Sequence, residues 1–136
     1  MVVITGSYTG SLRCESTHGP SRTTLVTDAP ADNMGRGESF SPTDLVATAL
    51  GTCILTTMAI VAQRRGIDFS SATYTVEKHM VMDPERRVGR LPVTIRMSAT
   101  ISAENRAVLE RAAHTCPVNK TLHPDVSAPI SFVYED

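Results

Sequence analysis

The sequence predicts an α+β fold, an antiparallel sheet with two principal helices in the order β-β-α-β-β-α-β, and three observations carry that prediction. Short alternating, β-branched runs recur near both ends and in the middle. The apolar run Leu45 to Ala62 repeats at three- and four-residue spacing, and a second helical pattern begins after Ser102. The 136 residues lie within the usual domain range and no shift in composition divides them, so one domain over 1–136 is expected.

In chain order, Val2 to Leu12 and Arg22 to Thr27 read as a hairpin whose turn is the stretch Ser16 to Ser21, with its Gly19-Pro20 pair. Asp28 to Ser41 is a loop rich in Ala, Pro, Asp and Gly, in which Gly35 and Gly37 flank Arg36. Ser41-Pro42-Thr43-Asp44 is a helix start: Ser41 as N-cap, Pro42 at the first helical position, and Asp44 as a shorter stand-in for the Glu of a capping box. Leu45, Val46, Ala49, Leu50, Cys53, Ile54, Thr57, Ile60 and Val61 then share one face, and Met58, Ala59 and Ala62 carry apolar character around the other side. A monomer of this size has little with which to cover such a helix. Arg64-Arg65-Gly66 supplies cations for the last turn and a glycine stop.

Ala72 to Met82 and Val93 to Ile101 read as two further strands, joined by DPERRVGRLP, whose prolines and glycine exclude a regular element. Ser102 caps a second helix from Ala103 to about Thr115. Cys116 ends it and is the N-cap of a short helical turn, Val118 to Leu122, opened by Pro117. Pro129 to Tyr134 is the last strand.

Composition excludes several classes of function. The net charge of -1, from 13 basic and 14 acidic residues intermingled, leaves no footprint for nucleic acid or an anionic membrane. Aromatics are 4% and Trp is absent, which removes deep stacking sites. The opening residues MVVITGSYTGSLRCE alternate without a basic leader and apolar core, so the expected home is cytoplasmic. The run Leu45 to Ala62, interrupted by Thr48, Gly51, Thr52, Thr56 and Thr57, reads as a buried helix and not a membrane span. Three cysteines in a reducing compartment make no disulfide framework.

The chemistry therefore rests on thiols. Cys53 points with the apolar stripe, the setting of an inert core thiol; to react it needs a cation, because the helix dipole has faded three turns from the N-terminus. Arg36 ranks first as that cation, followed by Arg13 and Arg22 of the first hairpin. Asp44, nine residues before Cys53, lies about 13 Å away along the axis and on the opposite face, so it acts on the sulfur only through an intermediary. Cys116, at a helix start, is by local position the more acidic thiol. Cys14 lies near a strand edge without a paired motif. His114, Cys116 and His123 match no tight metal-ligand spacing, and neither a metal nor another cofactor is expected.

The stretch SPTDLVATALGTC, followed 63 positions later (116 minus 53) by CPVNKTL, resembles the OsmC/Ohr family of osmotically induced and organic hydroperoxide resistance proteins, in its divergent OsmC-like branch. The resemblance implies an OsmC-like fold, an intertwined homodimer with sheets around long central helices. It also implies a thiol peroxidase, with Cys53 as the attacking and Cys116 as the resolving thiol, a hydroperoxide substrate and a dithiol reductant, lipoyl or a small thiol. The Ohr branch carries its partner arginine in the first hairpin, which leaves Arg13, Arg22 and the loop residue Arg36 as alternatives; Arg36 and Asp44 rank first to complete the site. The Ohr branch has a glutamate ten positions before its first cysteine; here that place is Thr43, and the acid follows at Asp44. An apolar wall of Leu50, Ile54 and Met58 would favour organic peroxides. The alternative is a dimeric small-ligand-binding or redox-sensing protein with little peroxidase activity.

Overall fold

The computed structural model describes all residues, 1–136. The chain forms two compact units, Met1–Leu45 and Val46–Asp136.

The first unit is a three-stranded antiparallel meander of β1 (Ile4–Gly10), β2 (Arg13–His18) and β3 (Thr24–Asp28), with Cys14 of β2 between Tyr8 and Thr27. The expected first strand, Val2 to Leu12, is thus β1 and the start of its turn, and β2 is an additional strand that takes in part of the expected turn. The reversal is made by Gly10, Ser11 and Leu12, all at positive φ, a conformation that Ser and Leu adopt rarely and do not advertise in sequence. Beyond β3 the loop is tied back to the strand: Asp28 N–H donates to Phe40 O at 3.0 Å, and Ser39 Oγ donates to Val26 O at 2.8 Å. The meander has almost no core of its own, since only Thr27, Asp28 and Ser41 of this unit are buried.

Helix α1 (Pro42–Arg65) begins as expected. Ser41 Oγ accepts from Asp44 N–H at 3.1 Å, and Asp44 Oδ2 accepts from Ser41 N–H at 2.9 Å, a reciprocal capping box with Asp in place of Glu. Gly66, at φ 68°, ends the helix. By length and composition α1 could cross a membrane. Leu50, Ile54 and Met58, however, are fully buried in a protein core, each contributing about 1.5–3 kcal/mol.

The second unit holds that core. Strands β4 (Thr73–Val76), β7 (Val93–Met97) and β8 (Ile130–Tyr134) form one sheet; β5 (His79–Val81) and β6 (Arg87–Arg90) form a separate hairpin. Val93, Ile95 and Met97 alternate inward to meet Leu50, Ile54 and Met58 of α1 and Leu109 and Ala113 of α2 (Ala103–Ala113). Ser102 Oγ caps α2 by accepting from Asn105 N–H at 3.2 Å. Two expectations change here. Ala72 to Met82 is two strands, and β6 forms inside the connection read as irregular, because Pro84 and Pro92 only bracket Arg87–Arg90. The order is therefore β-β-β-α-β-β-β-β-α-α-β, still α+β. β8 pairs parallel with β7, Val93 opposite Ile130, because the intervening α2 and α3 (Pro117–Thr121) form a crossover; the other pairings are antiparallel.

Candidate active site

Cys53 sits halfway along α1, partly exposed on the flank of the buried stripe. Cys116, at the junction of α2 and α3, has no exposed surface and belongs to the core. The fold brings the two side chains together, so that the Cys116 thiol donates to the Cys53 sulfur. Two further groups favour the anion of that sulfur: the Val118 N–H, from the first turn of α3, and the Thr57 hydroxyl, one turn further along α1. All three cysteines are free thiols.

The two acidities are the reverse of the local expectation. Burial pushes the Cys53 thiol up, but Cys116 S–H, Val118 N–H and Thr57 O–H together outweigh burial and hold it below the ordinary thiol value. Cys116 is pushed up, by burial first and then by donating its proton to the Cys53 sulfur. The N–H groups of Asn119 and Val118, at the start of α3, offset only part of this. Cys116 does occupy the N-cap position, yet its side chain makes no cap hydrogen bond. A helix start lowers a thiol's pKa only where the anion can use the free N–H groups, and here the Val118 N–H also serves Cys53.

The remaining candidates occupy the first unit. Arg36 is exposed on its loop between Gly35 and Gly37. Arg22, also exposed, lies in the turn after β2 at φ 63°. Arg13 is fixed: its Nη2 is 2.5 Å from Glu38 Oε2 and 3.4 Å from Asp28 Oδ2, while Glu38 N–H donates to the same Asp28 oxygen at 3.1 Å. The hydrogen bond to Glu38 and the charge of Asp28 raise the Arg13 pKa further, so it remains a cation throughout. Asp44 serves the capping box.

Leu50, Ile54 and Met58 do not wall a substrate pocket; each is fully buried against the sheet. An apolar cleft of this unit, about 250 Å³, is lined instead by Thr52, Leu55, Thr56, Ala59, Phe69, Ala72 and Tyr74, and Cys53 is not among its walls. No cluster of His, Cys, Asp and Glu capable of holding a metal ion occurs. Of the groups that lower the Cys53 pKa, Thr57 stands four residues away on the same helix, a spacing visible in sequence, whereas the Val118 N–H comes near only through the fold.

Residues 35–130 match the family model described as OsmC-like protein. No curated protein matches the chain. Among solved structures, the chain is similar to a protein of Psychrobacter arcticus 273-4 provisionally named an osmotic stress induced and detoxification response protein. That match has 39% identity and a TM-score of 0.90, covering 97% of this chain and 96% of the other. It shares the fold of an organic hydroperoxide resistance protein OsmC from Legionella pneumophila, at 19% identity and TM-score 0.76 over 98% of this chain and 96% of that one. The same holds for the organic hydroperoxide resistance protein OhrB of Bacillus subtilis, at 16% identity and TM-score 0.70 over 97% of both chains.

Proposed function

The chain belongs to the OsmC-like protein family, and on that premise we propose that it is a thiol peroxidase in which Cys53 reduces organic hydroperoxides to alcohols. The Cys53 thiolate donates an electron pair to one peroxide oxygen and the O–O bond breaks. The other oxygen leaves as alkoxide and takes a proton, and the sulfur, oxidised by two electrons, becomes a sulfenic acid. The Cys116 thiol then attacks that sulfur, an S–S bond forms, and water leaves. A dithiol, lipoyl or of low molecular weight, reduces the disulfide and completes the cycle.

The observation that carries this reading is the adjacency of two free thiols with opposed acidities. Cys53 is held toward its reactive anion, and Cys116 is held as the protonated neighbour that condenses later. The names of the fold relatives from Legionella pneumophila and Bacillus subtilis point to the same substrate class. A homodimer is part of the proposal, since Ile4 and Tyr8 of β1 and Ile60 of α1 are exposed at 66%, 66% and 46% in the single chain. Three free cysteines suit the reducing cytoplasm.

The test is single-turnover reduction of cumene hydroperoxide by the reduced protein. Two thiols should be consumed per chain, with a Cys53–Cys116 disulfide in the peptide map, and Cys53→Ser should abolish turnover. Equal peroxide reduction by Cys53→Ser would overturn the reading. The cleft at Tyr74 and Phe69 favours a second one, binding of a small apolar ligand, which requires a co-purifying ligand and no dithiol-dependent turnover.

A further inference from the structure

We propose that the reductant enters this site at Cys53 and not at Cys116: an external thiolate attacks Cys53 Sγ of the oxidised pair, forms a mixed disulfide there, and expels Cys116. The inference deepens the peroxidase reading and rests on its Cys53–Cys116 disulfide. It begins from exposure. Cys116 has 0% of its surface exposed and lies in the core cluster with Leu109 and Ala113 of α2, whereas Cys53 is half-buried and packs against that cluster from outside. Ala49 and Thr56, one helical turn before and after Cys53, are exposed, as is the adjacent Thr52. Cys53 therefore stands on the margin where the buried face of α1 meets its exposed face.

Thiol-disulfide exchange requires the attacking sulfur to reach one of the two disulfide sulfurs directly, so its rate depends on access to that sulfur and on the thiol it expels. Here the two requirements oppose each other. By leaving group alone, attack on Cys116 would be the faster, because it expels Cys53, the more acidic thiol. That advantage grows only as a fraction of the difference in pKa. A nucleophile reaches a fully buried sulfur only when the core around it opens, and core openings are the rarest that a fold makes. Access decides.

In the first step the reductant's thiol gives up its proton and its sulfur bonds to Cys53 Sγ. The Cys53–Cys116 bond breaks, and Cys116 leaves as a thiolate and takes a proton. In the second step the other thiol of a dithiol attacks the reductant's own sulfur. The mixed bond breaks, Cys53 leaves as the thiolate that starts the next cycle, and the dithiol, oxidised by two electrons, closes into a cyclic disulfide. The acidity of Cys53 makes it the good leaving group for this second step. A monothiol has no second sulfur to offer, so its adduct stays on Cys53 until another molecule arrives or Cys116 re-forms the disulfide.

The test uses the full-length protein carrying Cys14→Ser, which removes the exposed third thiol. Diamide oxidises the pair without peroxide. The probe is 2-mercaptoethanol, an uncharged monothiol suited to a sulfur whose helix has no charged residue from Leu45 to Gln63. Samples are quenched in acid at successive times, where thiols are protonated and exchange stops, and are digested with pepsin to read the adduct at each cysteine. At the earliest times the adduct on Cys53 should exceed that on Cys116 at least about tenfold, as expected when one sulfur must wait for the core to open. Dithiothreitol should restore both thiols and leave no lasting adduct.

An early adduct on Cys116, or equal adducts on both cysteines, overturns the proposal. So does a disulfide that yields to 2-mercaptoethanol only in denaturing urea. If Cys14→Ser does not fold, the wild type serves with the same criteria, because the peptide map reads each cysteine separately. Failure of diamide to join Cys53 to Cys116 would remove the resolving step of the proposed function and this proposal with it. A Cys53 adduct in a protein that leaves cumene hydroperoxide untouched would sustain the order of attack and remove the peroxidase reading.

Discussion

Gly51 lies on the buried face of α1, two residues before Cys53, and Gly51→Ala sets helix propensity against packing. In a helix interior the substitution should gain about 1 kcal/mol, because glycine loses the most backbone freedom on folding. The space beside it is already taken: a Cβ there would lie 2.4 Å from Tyr74 Cε2 and 2.5 Å from Cδ2. Carbon atoms pack at about 3.5–4.0 Å, so the ring would have to retreat by more than about 1 Å. Tyr74 also forms a wall of the 250 Å³ cleft, which gives the ring somewhere to go and holds the cost to about 2 kcal/mol, within the usual range for overpacking. The net expectation is a loss of about 1 kcal/mol, or roughly 3–5 °C in Tm for a chain of this length. In a Tyr74→Ala background the obstacle is gone and the same substitution should stabilise by about 1 kcal/mol. The coupling energy between the two sites is then about 2 kcal/mol. Urea unfolding of the four proteins at one protein concentration measures it. Additivity within about 0.3 kcal/mol, or a stabilised Gly51→Ala single variant, would refute the reasoning.

Two further outcomes test other parts of the molecule. Asp44→Ala should cost about 1 kcal/mol through the lost capping box while leaving the pH profile of Cys53 alkylation in place, whereas a shifted profile would give Asp44 the catalytic role its sequence position allowed. Tyr134 joins β8 to α2 by donating to Glu110 Oε2 at 2.8 Å, with the Arg106 guanidinium 4.1 Å above its ring. Burial, and then Glu110 through that hydrogen bond and its charge, push the phenol well above its ordinary value of 10.0. The folded state therefore favours the protonated phenol, a contribution complete below about pH 10 and lost as pH rises beyond it. Wild type should lose stability to urea above that pH, and Tyr134→Phe should show a flatter alkaline dependence; identical slopes would count against this assignment.

What was legible from sequence was local. The start of α1 could be read because Ser41, Pro42 and Asp44 satisfy a helix terminus within four residues of chain, and its end because Gly66 takes a left-handed conformation cheaply. The cap of α2 followed for the same reason, and the start of α3 from Pro117 at its first position. The reversal at Ser11 and Leu12 was not legible, since neither residue signals a positive φ. Nor was β6, whose pairing with β5 lies across a connection with no alternating pattern of its own. The apolar face of α1 was correctly read as core, but its use was not. Leu50, Ile54 and Met58 pack on β7 and leave nothing for a substrate, while the open cleft gathers Phe69 and Tyr74 from outside the helix.

The sequence by itself singled out Cys53 and Cys116 as the candidate pair, because each sits in a motif whose residue types are unusual together. It ranked their acidities by helix position and so favoured Cys116. The tertiary structure decided otherwise, by burying Cys116 completely and by bringing its thiol and the Val118 N–H from 63 and 65 residues away (116 and 118 minus 53) to the sulfur of Cys53. A thiol's pKa is set by desolvation and by the donors within a few ångströms of it, and residue spacing along the chain reports only those donors that share its helix.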